Sequence, residues 1–80
     1  MTKLMSELGS NLHLSRKKTF PSDSIAAFAI RCEIGLSTYK KMEKGDLSVG
    51  INQYFKAAQV LGLQSQFSEL FKMKEDWFND

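Results

Sequence analysis

Eighty residues suffice for one compact domain and leave no material for a second core. Hydrophobic residues at 42% and charged residues at 25% argue against a disordered chain, and a single cysteine excludes a disulfide framework. The net charge is only +2, but residues 1–60 carry nine Lys and Arg against five Asp and Glu, whereas residues 61–80 carry two against four; the basic part suits a polyanion and the acidic end does not.

The first expected element is a helix from about Leu4 to Lys18. Leu4, Leu8 and Leu12 recur at helical spacing with Met5 beside them. Arg16, Lys17 and Lys18 fall in its last turn, where cations suit the carbonyl end of any helix. Pro21 ends this helix or lies just past its end. Ser22 then stands as the N-cap of a second helix, with Asp23 in the first turn. Ile25, Phe28, Ala29 and Cys32 form the stripe of one buried face. A break is expected from Glu33 to Gly35, with Ile34 as a buried plug between them.

A short third helix is expected from about Leu36 to Lys44. Tyr39 and Met42 point inward, Ser37, Lys40, Lys41 and Lys44 occupy the other face, and Gly45 lies just past the end. Asp46 to Gly50 read as a loop in which Ser48 caps the next helix. Ile51, Tyr54, Phe55, Ala58 and Leu61 mark that fourth helix, stopped by Gly62. Ser65 opens a fifth, with Phe67, Leu70 and Phe71 apolar. The tail from Lys72 to Asp80 sets Trp77 and Phe78 among charges. The expected fold is therefore all-α: a compact five-helix domain over residues 1–71 and a short tail over 72–80.

The inventory is poor in chemistry. His13 is the lone histidine and reads as a surface residue; Cys32 reads as a small core residue. One His and one Cys do not build a structural zinc site. No Ser/His/Asp set, phosphate-binding glycine loop or catalytic carboxylate pair can be assembled. Neither enzymatic activity nor a cofactor or metal is expected. No run approaches the roughly 20 apolar residues of a membrane helix, and the first residues lack an apolar leader. With the single thiol, this predicts a soluble, cytoplasmic protein.

What remains is the spacing of the second and third helices. A break of a few residues between short helices is helix-turn-helix spacing, placed here at about residues 22–44. In such a unit the second helix braces the third, whose polar face enters a major groove about 12 Å wide.

Here a resemblance becomes specific. Leu8-Gly9, Arg16, Ala29, Ile34, Thr38, Tyr39 and Met42-Glu43-Lys44-Gly45-Asp46 occur in the order seen in the Cro/C1-type, or xenobiotic-response-element (XRE), helix-turn-helix family. Residues 8–63 resemble it, about two-thirds of the chain. Ser48-Val49, Tyr54 and Val60-Leu61-Gly62-Leu63 further resemble the HipB-like antitoxins, which accompany HipA-type kinase toxins.

The resemblance implies a lambda-repressor-like DNA-binding domain acting as a transcriptional repressor. Leu36, Ser37, Lys40 and Lys41 would face double-stranded DNA, with Ser37 and Lys40 at base edges and Thr38, Lys41 and Lys44 at phosphates. Leu36 would touch a thymine methyl. Arg16 and Glu43 would form a buried ion pair, and Ala29 would be the small residue where the two helices cross. Four features depart from the pattern: Ile25 stands where Gln is common, Glu33 where Gly is usual, Leu36 where a polar residue is common, and Phe20 to Asp23 is longer than usual. At Glu33 the turn is either left-handed at a cost of about 1–2 kcal/mol or remodelled.

A homodimer on a palindromic operator is expected, with Phe67, Leu70, Phe71, Trp77 and Phe78 as dimer or partner contacts. Trp77 and Phe78 either fold back on the last helix, cover the dimer interface, anchor in another protein, or belong to a disordered end. The expected setting is the autoregulated antitoxin of a HipBA-like operon, with a HipA-type kinase toxin as partner. A phage or mobile-element Cro-like regulator is the nearest alternative. A protein-interaction module on a degenerate form of the same fold is the alternative of another class. In any unrelated domain, Lys40, Lys41 and Lys44 would read as a solvated helix face.

Overall fold

A computed structural model describes residues 3–72; the Trp77 and Phe78 expectations, and all of the tail but Lys72, lie outside them. The described chain is all-helical: α1 (Lys3–Thr19), α2 (Ile25–Cys32), α3 (Leu36–Glu43), α4 (Ile51–Leu61) and a 3₁₀ helix (Gln64–Glu69). No described helix is long and apolar enough to cross a membrane.

The expected stripe of α2 is what builds the core. Phe28, Ala29 and Cys32 are buried and meet Tyr39 and Met42 from α3 and Ala57 from α4. Phe28 packs edge-on to Tyr39 with ring centroids 5.4 Å apart, and Phe20 tilts against Phe28 at 5.7 Å. Ile34 is buried in the break between helices, as its sequence position suggested. Each large side chain fully buried here contributes about 1.5–3 kcal/mol. Ala29 is buried at the α2 side of this contact.

Three helices end in the same way. The chain turns left-handed after α2, α3 and α4, and the two amides beyond each end bond back to carbonyls of its last turn. After α3 the turn residue is Gly45, whose N–H donates to Met42 O while Asp46 N–H donates to Lys41 O. After α4 it is Gly62, with Leu63 N–H donating to Ala58 O. After α2 it is Glu33, at φ 60°, ψ 42°, with Ile34 N–H donating to Ala29 O at 2.9 Å. Of the two outcomes open at Glu33, the chain takes the left-handed one and leaves the turn unremodelled.

Local details differ from expectation. The N-cap of α2 is Ser24, not Ser22: its hydroxyl accepts from Ala27 N–H. Asp23 therefore precedes the helix. Ser48 does not cap α4, which starts at Gly50 without a side-chain cap. The Ser48 N–H instead donates to the Asp46 carboxylate, closing the loop on itself. On α4 the inward residues are Ala57 and Ala58 with Tyr54, Val60 and Leu61 partly buried; Ile51 is largely exposed and Phe55 partly so. Leu8, expected in the inward stripe of α1, is partly exposed. The fifth helix is a 3₁₀ segment, which leaves Leu70 and Phe71 exposed beyond it.

Gly9 fixes how α1 lies on α3. A Cβ there would collide with the backbone of Glu43 and Gly45. Gly9→Ala should therefore cost about 1–3 kcal/mol, near the upper end because backbone must move, and lower Tm on the order of 10 °C. Glu33→Gly should act oppositely. Relief of a left-handed non-glycine residue returns about 1–2 kcal/mol, and glycine's extra freedom in the unfolded chain takes back about 0.4–1 kcal/mol. Thermal unfolding of the two variants should show a loss for the first and a gain of a few degrees for the second.

Candidate nucleic-acid interface

The candidate interface begins at the turn. Glu33, Ile34 and Gly35 are the only residues between α2 and α3. With Ile34 buried and Glu33 locked by two hydrogen bonds, the turn has little freedom. Tyr39 and Met42 bind α3 to the core on one side. Residues three and four apart share a helix face, so Leu36 and Lys40, and Ser37 and Lys41, form an outward strip. All four are exposed, with Leu36 at 42%. Thr38 is only half-exposed at its edge. Lys44 is exposed just past the last helical residue, beside Ser6, Ser10 and His13 of α1, at the opposite end of α3 from Leu36.

Among the described residues, no carboxylate forms an ion pair with Lys40, Lys41 or Lys44. Their charge is available to a ligand. No side chain caps the N-terminus of α3, so its first amides have no side-chain acceptor at the cap, as suits an anion.

A buried polar cluster holds α3 from behind. The Glu43 carboxylate is only 10% exposed and accepts from Arg16 Nε at 2.8 Å. Tyr39 donates its hydroxyl to the same oxygen. Arg16, itself 3% exposed, also donates through Nη1 to the Asp23 carbonyl at 2.9 Å. One guanidinium thus ties α1 to the end of α3 and to the loop before α2. His13 Nδ1 lies 3.0 Å from Glu43 Oε1 and 3.1 Å from Arg16 Nη2. A single ring nitrogen serves one of these at a time: it donates to the carboxylate when protonated and accepts from the guanidinium when not. His13 is exposed, as expected of a surface residue, yet belongs to this cluster.

The contacts set the electrostatics. Burial works against the Glu43 carboxylate, but donors from Arg16, Tyr39 and His13 outweigh it and hold its pKa below the ordinary value. Burial and the bond to Glu43 push the Tyr39 phenol upward. The bond to Glu43 keeps Arg16 protonated more firmly still. Burial pushes the Cys32 thiol up to about 11, which suits a packing residue rather than a nucleophile.

Sequence reasoning did not find a second ion pair. Asp23, displaced from the helix, receives Arg31 through two bonds of 2.8 and 3.0 Å. Arg31 also stacks over Phe20, 4.1 Å from the ring centre. The segment Phe20 to Asp23 is thereby pinned to α2. An acid and an arginine eight residues apart, across a helix start, offer no spacing signal that would have announced the pair. Of the proposed dimer contacts, Phe67 is half-buried against Phe55, with centroids 5.2 Å apart, whereas Leu70 and Phe71 are exposed.

No family model, curated protein or solved structure gives a significant match to the chain.

Because Glu43 titrates below its ordinary value in the folded state, its ionisation stabilises the fold above that value, near 4.5, and this contribution is lost as pH falls through the lower folded pKa. Urea unfolding monitored from pH 7 into the acid range should show stability falling below about pH 4.5. Glu43→Gln should be less stable at neutral pH by about 3–5 kcal/mol, since Arg16 is left uncompensated, and should show a flatter acid limb. Tyr39→Phe, which removes one donor, should lie between. An acid limb of unchanged steepness in Glu43→Gln would show that Glu43 is not the responsible group.

Proposed function

We propose that this chain is a sequence-specific DNA-binding repressor of the Cro/C1 helix-turn-helix kind. The observation that carries the reading is the exposed strip on α3, with Lys40 and Lys41 free of carboxylate partners among the described residues, on a helix that a three-residue turn and a buried ion pair hold rigidly. Ser37 and Lys40 read base edges, Leu36 contacts a thymine methyl, and Lys41, Thr38 and Lys44 bind phosphates. The unpaired amides at the start of α3 add a dipolar contact to the backbone.

The repressor acts as a homodimer. A two-fold pair sets its two recognition helices about 34 Å apart, on successive major grooves of a palindrome. Leu70 and Phe71, exposed beyond the 3₁₀ segment, contribute to the pairing. Repression is by occlusion of a promoter, its own included. The setting that the resemblance over Ser48 to Leu63 favours is an antitoxin whose HipA-type kinase toxin binds a surface away from α3, within the cytoplasm.

One observation favours a second reading, a protein-interaction module without DNA binding. Ile30, 77% exposed on α2, and Leu36 at the start of α3 are apolar residues on the helices of the motif.

A mobility-shift titration with DNA from upstream of its own gene separates the two. A DNA binder shows a retarded complex whose log affinity falls steeply and linearly with log salt. Lys41→Ala should weaken all sequences alike and reduce the magnitude of that slope by about 1. Ser37→Ala or Lys40→Ala should lose about 1–3 kcal/mol of discrimination at one base position. Unchanged binding by the double variant Lys40→Ala, Lys41→Ala would remove α3 as the recognition helix.

A further inference from the structure

Where α1 crosses the end of α3 lies an open polar recess of about 450 Å³. Ser6, Ser10 and His13 of α1 line it together with Glu43 and Lys44. Residues three and four apart share a helix face, so the two serines and the histidine form one continuous edge along α1. Lys44 closes the recess from the α3 side and forms no ion pair with a carboxylate among the described residues. The serine hydroxyls that bond within the described chain are those of Ser24 and Ser68, not those of Ser6 and Ser10. Hydroxyls and an ammonium without protein partners thus converge on one concave surface.

We infer that this recess seats a phosphate group, bound by Lys44, Ser6, Ser10 and His13. An ionised phosphate offers acceptor oxygens, and all four side chains can donate. The contacts of His13 fit its ring for the task. Nδ1 accepts from Arg16 when the ring is neutral, which places the proton on Nε2; a protonated ring carries a proton there as well. Nε2 makes no hydrogen bond among the described residues, and the side chain is 46% exposed. The Glu43 carboxylate also lines the recess, but Arg16 offsets its charge at 2.8 Å and Tyr39 covers the same oxygen. Lys44 therefore sets the sign of the recess, and protonation of His13 adds to it.

A free phosphorylated small molecule and the backbone of DNA present the same group. The first source stands independently of the DNA-binding reading, because Leu36, Ser37, Lys40 and Lys41 do not line the recess. The second rests on that reading and gives the phosphate at Lys44 three further donors from α1.

His13 is the only histidine, so its ring proton resonances report the recess directly. Titration of the full chain with inorganic phosphate at constant pH 7 should shift them saturably, in the millimolar range, whereas sodium chloride at matched ionic strength should not. Lys44→Gln should weaken phosphate about tenfold, and Ser6→Ala with Ser10→Ala severalfold, while far-UV circular dichroism keeps its helical signal. Lys18→Ala, which removes the same charge from a residue outside the recess, should leave the titration unchanged.

Duplex DNA from upstream of its own gene then identifies the source. A shift of the His13 resonances at saturating duplex that is lost in Lys44→Gln supports a backbone phosphate as occupant. Saturable phosphate binding with resonances that duplex leaves unmoved supports a free phosphate group, and holds even if the DNA-binding reading fails. A phosphate response that chloride reproduces, with none to duplex, overturns the inference. Indifference of the response to Lys44→Gln overturns it as well.

Discussion

The arrangement depends on one buried carboxylate. Glu43 ends α3, and donors from Arg16, Tyr39 and His13 converge on it. Arg16 simultaneously holds the Asp23 carbonyl. A buried ion pair is a weak source of net stability, because desolvation offsets most of the attraction. Its value here is positional. Any shift of α3 along α1 leaves a charge in the interior without its partner, so alternative packings of these helices are strongly disfavoured. Gly9 reinforces the constraint from the steric side, since only a residue without Cβ lets α1 rest on the backbone of Glu43 and Gly45.

The turn after α2 completes the constraint at the other end of α3. Glu33 accepts a left-handed backbone that glycine would adopt freely, and its cost is met by the hydrogen bonds of the helix end and by burial of Ile34 just beyond. The same ending uses glycine after α3 and α4. After α3 that glycine is indispensable, because a Cβ at Gly45 would collide with the backbone of Met5. Fixed at both ends and on its inner side by Tyr39 and Met42, α3 retains one free face, and the strip of Leu36, Ser37, Lys40 and Lys41 occupies it.

Much of the fold was legible because period and punctuation agree. The stripe Ile25, Phe28, Ala29 and Cys32 has one helical reading, and Gly45 and Gly62 terminate helices where expected. The failures have local causes. Between Pro21 and Ile25 two serines and an aspartate compete for the cap, and the outcome turns on Arg31 capturing Asp23, a contact without a sequence period. In α4 apolar residues cover more than one face, so periodicity does not separate inward Ala57 and Ala58 from outward Ile51. At the site, the outward strip of α3 was readable from its polar spacing, and the Arg16–Glu43 pair from family resemblance. His13 was not, because nothing in a lone surface histidine signals a carboxylate thirty residues away.

The remaining surface divides by chemistry. Lys40, Lys41 and Lys44, without carboxylate partners among the described residues, lie on α3 and just past its end, while a leucine-lined groove lies between α1, α4 and the 3₁₀ segment. A polyanion and an apolar surface are recognised by opposed physical terms: counterion release for the first, removal of hydrocarbon from water for the second. Raising salt weakens one and leaves the other little changed. Both surfaces stand on one core: α1 supplies Arg16, which restrains α3, and leucines that line the groove, while α2 packs against α3 and α4 alike through Phe28 and Ala29.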